Sequence, residues 1–170
     1  MFTVSITVDD VIDSVAAYLE PFVNGVKIVR AQTNRVPSPL GQFITLNEIS
    51  QKEIETPALI NDPDNGIITI INLTEIVIQI DFYGNNGGDY ARAFLSAIRS
   101  VYGFDNFPEG IKPLYCDDIQ QMGFILDNRQ YAQRWTIRFH LAYNPIVTLP
   151  QEYASEFNLN LFVNVDTEIE

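Results

Sequence analysis

Glu75-Ile76-Val77-Ile78-Gln79-Ile80-Asp81-Phe82-Tyr83, followed by Gly84-Asn85-Asn86-Gly87-Gly88-Asp89-Tyr90-Ala91, reads as a strand, a breaker and the first turn of a helix. Ile76, Ile78, Ile80 and Phe82 alternate with Glu75, Gln79, Asp81 and Tyr83, so successive side chains point to opposite faces and one face is core. The glycine and asparagine run stops the strand, and Asp89 is placed to cap the helix. Tyr90, Ala91, Phe94, Leu95, Ile98, Val101 and Tyr102 then recur at helical spacing up to Gly103, with Arg92, Ser96 and Arg99 on the wet side.

Upstream, Val8, Val11, Ile12, Val15, Leu19 and Phe22 predict an earlier amphipathic helix from about Asp9 to Glu20. Thr7, Asp9 and Asp10 supply its cap and favourable first-turn charge, and Pro21 and Gly25 are expected to close it. Lys27 to Gln32 is a short strand candidate. Asn34-Arg35-Val36-Pro37-Ser38-Pro39-Leu40-Gly41 is an extended loop, because its prolines cannot donate to a central ladder. Phe43 to Ile54 predicts a strand, Pro57 to Gly66 a turn region, and Ile67 to Leu73 a strand or hairpin arm.

Downstream, Lys112 to Met122 is expected to be extended. Arg134 to Tyr143 alternates cleanly, with Trp135, Ile137, Phe139, Leu141 and Tyr143 against Arg134, Thr136, Arg138 and His140. Leu159, Leu161, Val163 and Val165 form a last alternating run. The order helix, strands, helix, strands predicts an α+β fold, a largely antiparallel or mixed sheet with two amphipathic helices packed on it. The 170 residues are expected to form one domain, 1–170.

Composition narrows function more than it specifies it. With 46% hydrophobic and 19% charged residues the chain folds, and its net charge of −12 argues against holding nucleic acid by neutralising phosphates. No transmembrane or signal-peptide pattern is visible and neither helix has a basic polar face, so cytosolic synthesis without a membrane role is expected. The 14 Asn and nine Gln beside this low charge suit wet protein contacts better than catalysis.

Each motif with catalytic or ligand potential has a plainer reading. Cys116 and His140 are a nucleophile and base only if the fold brings them together with an orienting group; otherwise both are structural. The Gly84–Gly88 turn occupies a phosphate-loop position, but Asp89 sits where the anion would be, which favours a capped turn. Asp62-Pro63-Asp64-Asn65-Gly66 fails as a calcium loop: with Gly66 at position six, position twelve is Asn72, not glutamate. Asp117-Asp118 reads as an exposed pair. No cofactor, metal site or catalytic residue is predicted. Asp81 and Arg134 or Arg138 lie on the non-core sides of two strands, where neighbouring strands would allow a cross-strand ion pair.

Several segments follow one another in a set order: Asn34-Arg35-Val36-Pro37, then Gln79-Ile80-Asp81-Phe82-Tyr83-Gly84 leading to Ala91, Leu95 and Arg99-Ser100. Gly110-Ile111-Lys112-Pro113-Leu114-Tyr115 comes next, and Arg129-Gln130-Tyr131 leads to Arg134-Trp135. In this order they resemble the neck or tail-terminator proteins of tailed bacteriophages. The similarity spans roughly Ile28 to Val163, and the glycine-rich Gly84–Gly88 turn departs from the family's shorter one.

The resemblance implies a tail-terminator-like, non-enzymatic virion component, made in the bacterial host cytoplasm. It implies a ring, sixfold by expectation, at the head-proximal end of the tail. There the ring caps the tail tube, joins it to the head-completion or connector protein, and lets genomic DNA pass without specific binding. Asn34, Arg35, Pro37, Asp81, Arg134 and Arg138 are its candidate interface residues, Arg35 being either a contact to an adjacent subunit or a solvated loop residue. Three alternatives stay open: a head-side connector ring, a small cytosolic enzyme built on Cys116 and His140, and a monomeric module with one deep apolar pocket.

Overall fold

The Glu75 to Tyr83 alternation becomes the middle of a six-stranded sheet in the computed structural model, which describes residues 2–31, 39, 41–125 and 131–152. The elements are β1 (Thr3–Val4), α1 (Val8–Val23), β2 (Lys27–Arg30), β3 (Phe43–Glu53), β4 (Ala58–Asp62), β5 (Ile67–Ile71) and β6 (Thr74–Tyr83). They continue with α2 (Gly87–Ile98), α3 (Val101–Asp105), β7 (Ile111–Cys116), β8 (Gln120–Gln121), β9 (Phe124–Ile125), β10 (Tyr131–Ala132), β11 (Arg134–Tyr143) and β12 (Ile146–Pro150).

The main sheet has the order β2-β3-β6-β11-β7, with β8 also on β11. Strands β6 and β11 pair antiparallel along their whole length, from Thr74 opposite Tyr143 to Tyr83 opposite Arg134. All its pairs are antiparallel except β2 with β3. The α+β expectation therefore holds. Helices α1 and α2 bury Val11, Val15, Leu19, Ala91 and Phe94 in one core with Ile76, Ile78, Ile80, Phe82, Ile137 and Phe139 of the sheet. Phe94 meets Phe139 edge-on with ring centres 5.3 Å apart. Each fully buried side chain of this kind contributes roughly 1.5–3 kcal/mol over leaving it exposed.

Thr7 caps α1 as expected: its hydroxyl oxygen accepts from the Asp10 amide, and the Asp10 carboxylate accepts from the Thr7 amide at 2.7 Å. The helix does not close at Pro21, however, but runs on to Val23. Val23 is buried and Phe22 packs on Tyr18 with ring centres 5.5 Å apart, so side-chain burial carries the chain past the proline. Asn24, at φ 41°, ends it.

The expected second helix divides into α2 and α3 at Arg99 and Ser100. Gly103 lies so close that a Cβ there would be 2.6 Å from the Ile98 Cα, and this fold-back leaves Val101 76% exposed instead of on the apolar stripe. Asp89 does not cap α2; it lies in the first turn behind an N-cap at Asn86. Lys112 to Met122 also divides, into β7 and β8: Tyr115 faces His140 and Pro113 faces Leu141, which leaves Leu114 as a bulge.

The region from Pro57 to Gly66 is only partly turn. Residues Ala58–Asp62 form β4, and the turn proper is held by the Asp62 carboxylate, which accepts from the Asn65 amide at 3.2 Å and its side chain at 2.7 Å. Strands β4 and β5 are the hairpin arm, and with β12 and β1 they make a second, antiparallel sheet of order β1-β12-β5-β4. It continues the main sheet, since the Ile54 amide donates to the Leu73 carbonyl at 2.9 Å and the Asn72 amide to the Pro145 carbonyl at 3.4 Å. No residue of its four strands is fully buried. The alternating run Leu159, Leu161, Val163 and Val165 lies outside the described residues.

Candidate assembly interface

The face of the main sheet opposite the helices carries the polar residues of β3, β6 and β11 in rows. Thr45, Asp81 and Thr136 stand abreast, as do Asn47, Gln79 and Arg138, and Phe43, Tyr83 and Arg134. Phe43 and Tyr83 stack at 4.3 Å. In the central row Thr136 donates its hydroxyl to Asp81 Oδ1 at 2.5 Å, while the Gln79 amide donates to Asp81 Oδ2 at 2.9 Å. Asp81 is 5% and Thr136 7% exposed. A buried carboxylate is costly unless its oxygens accept hydrogen bonds, and here each oxygen does.

Among the described residues Asp81 makes no ion pair with Arg134 or Arg138. Strands β6 and β11 are neighbours, but the residue directly across from Asp81 is Thr136. The arginines are its diagonal neighbours, about 7–8 Å away in an antiparallel ladder, so the nearer hydroxyl takes the carboxylate. Arg138 is exposed. Arg134 reaches Met122, its Nη2 lying 3.8 Å from Sδ. The structure thus brings Asp81, Arg134 and Arg138 to one face, while Asn34, Arg35 and Pro37 lie outside the described residues.

A second polar group on this face was not singled out from the sequence. His140 donates through Nδ1 to Glu75 Oε1 at 2.7 Å, with Asp117 Oδ1 3.8 Å from Nε2 and the Tyr115 ring stacked at 4.0 Å. The Glu75 and His140 positions were visible as wet sides of two strands, but their meeting depends on register: His140 stands opposite Val77 and Tyr115. Asp118 is paired with Arg99 at 3.0 Å on the surface.

Cys116 does not share this face. It stands opposite Phe139 on the core side, one position from His140, so the thiol and imidazole project to opposite sides of the sheet. Burial pushes the thiol up to about 12, with Arg99 opposing that shift and Asp117 adding to it. A thiol that stays protonated at neutral pH is a poor nucleophile. The pairing on which the enzyme alternative depends is not formed.

The Gly84–Gly88 turn has a packing explanation. A Cβ on Gly88 would lie 2.9 Å from Trp135 Cε2, one on Gly87 2.8 Å from the Phe82 carbonyl oxygen, and Gly84 takes φ 102°. The glycines let α2 start against the Trp135 ring. Among the described residues a cleft of about 480 Å³ beside α1 is lined by Asp10, Asp13 and Glu109 along with Ile6 and Ile111, and opens broadly to solvent. It is not a deep apolar pocket of the kind a small-ligand module needs. Among the described residues no group of three or more His, Cys, Asp or Glu side chains is arranged to hold a metal ion.

What distinguishes this chain is a helix-backed sheet whose other face is polar, continued by a thin second sheet: an α+β protein of surfaces and strand edges. It belongs to the phage neck terminator protein family, whose model matches residues 9–168. Members of that family are structural virion components with a tail-terminating role. A comparison with curated proteins finds no match. Among solved structures, the sheath/tube terminator of an extracellular contractile injection system, PVC, seen by cryo-EM in the extended state, is similar at 11% identity and a TM-score of 0.48. The alignment covers 96% of this chain and 66% of that one, so this chain spans just under two thirds of its length.

Proposed function

We propose that this chain, as one domain, assembles into a ring of six at the head-proximal end of a phage tail, where it terminates the tube and joins it to the head-completion or connector protein. The observation that carries the reading is the family match over residues 9–168. A closed ring of identical subunits needs two different complementary surfaces on each copy. The polar face around the exposed Arg138 and the exposed strands of the second sheet are two such surfaces. Arg138 and the Asn34, Arg35 and Pro37 loop present contacts between subunits or to the tube, while Asp81 and Arg134 set the shape of the face from within.

The mechanism is steric and needs neither cofactor nor membrane. Six copies carry a formal charge of −72, six times −12, and a bore of that sign repels phosphates, so genomic DNA slides through without sticking. Synthesis occurs in the host cytoplasm and the finished protein resides in the virion neck. Electron microscopy of the purified protein with tail tubes tests this directly. A ring at one tube end, and heads left unjoined to tails when the gene is deleted, is the expected result; monomers that ignore tubes would overturn it.

A further inference from the structure

The cleft beside α1 does not end at its acidic residues. It shares Ser14, Ala17 and Pro108 with a second cleft of about 280 Å³, so the two join into one groove along the helix. The first part is acidic, and no Lys or Arg lines either part. The Asp10 carboxylate is taken up by the Thr7 cap, whereas Asp13 and Glu109 are exposed and make no ion pair among the described residues. The second part is lined by Tyr18, Pro21 and Tyr102, with the two tyrosine ring centres 6.0 Å apart.

This second part holds an unmet hydrogen-bonding group. Tyr18 is 5% exposed, and its hydroxyl has no partner among the described residues. A buried hydroxyl is costly unless an acceptor reaches it, and none of its neighbours supplies one. Helix α3, which contributes Tyr102, also leaves Val101 76% and Phe104 55% exposed. Three large apolar side chains exposed on five residues make a patch, which marks a surface that another molecule covers.

We propose that this groove receives an extended, cationic segment of a partner protein. Its Lys or Arg side chains meet Asp13 and Glu109, an apolar side chain enters between Tyr18 and Tyr102, and a backbone carbonyl accepts from the Tyr18 hydroxyl. Charge selects this occupant. Nucleic acid would set phosphates against carboxylates, and a second copy would bring its own net charge of −12, whereas a cationic partner is drawn in. The groove is open along its length, which suits a chain segment better than a small molecule. The inference does not depend on the ring assignment.

The test titrates the full-length protein with a fluorescein-labelled peptide that alternates Arg and Leu, and with the same peptide carrying Glu in place of Arg, by fluorescence anisotropy. Binding of the Arg peptide alone is expected. Asp13→Asn with Glu109→Gln should weaken it about fivefold or more, while Glu55→Gln with Asp64→Asn, which changes net charge equally on loops flanking β4, should stay within about twofold. Tyr18→Phe should weaken it about threefold or more, the size of one net hydrogen bond, and melt no lower than wild type without peptide. No binding, equal losses in both charge variants, or full affinity in Tyr18→Phe would overturn the inference. A dimer in sedimentation that the Asp13→Asn, Glu109→Gln variant loses would overturn it too, by making a second copy the occupant.

Discussion

Thr136 and Asp81 face each other across the β6–β11 ladder on the side of the sheet away from the helices, joined by a 2.5 Å hydrogen bond between two nearly water-free side chains. Asp81→Ala leaves the Thr136 hydroxyl and the Gln79 amide without their acceptor, which costs about 1–3 kcal/mol. Urea unfolding measures it. A cycle with Thr136→Val is expected to give a coupling of at least about 0.5 kcal/mol, as for other contacting pairs. Additive effects would mean that the bond does not couple the strands.

Cys116 and Tyr18 make stability fall at alkaline pH. Burial is the main cause in both, pushing the thiol from 9.0 and the phenol from 10.0 up to about 12; Tyr102 and Cys116 add to the Tyr18 shift. Both groups ionise more readily in the unfolded chain, so the stabilisation is complete below about pH 9 and drains away as pH rises toward 12. Melting temperature against pH checks the sign. In the same window Cys116→Ala should flatten part of the slope, and a thiol reagent at pH 8 should label Cys116 only after unfolding.

Gly88→Ala separates packing from propensity. Alanine is the better helix former by about 1 kcal/mol, so propensity alone expects a more stable protein. The Trp135 ring sits where the methyl group would go, 2.9 Å from a Cβ, and overpacking of this kind costs about 1–3 kcal/mol. Net destabilisation with a shifted Trp135 fluorescence maximum is the expected outcome. A stabilised variant would show that the ring moves aside freely.

Arg138→Glu isolates the polar face. The side chain is exposed and makes no ion pair among the described residues, so unfolding free energy should stay within about 0.5 kcal/mol of wild type. Binding to tube ends, counted by electron microscopy, should drop. Unchanged binding would remove Arg138 from the interface.

The strict alternations in Arg134 to Tyr143 and Glu75 to Tyr83 were legible because each strand buries one whole face under the helices, and the structure places them within one residue of the expected bounds. The α1 stripe was legible for the same reason. Of the second sheet only β5 was legible, as a strand or hairpin arm over Ile67 to Leu73, whereas Ala58–Asp62 lies between prolines and reads as turn. Local signals fail where a strand is half-wet on both sides. The Asp81 partner was missed on other grounds. Which residue stands across from it is set by the register of segments over fifty positions apart, and neither segment alone contains that information.

The second sheet has one more consequence. Its strands carry no fully buried residue and join the main sheet through a narrow seam at Leu73 and Pro145. Local opening is easiest where few apolar contacts resist it, so amides of Ile67–Ile71 should exchange with deuterium well before those of Ile76–Phe82. The protein is in this sense a stiff hub with a compliant arm, built to absorb small strains in the arm without unfolding its core.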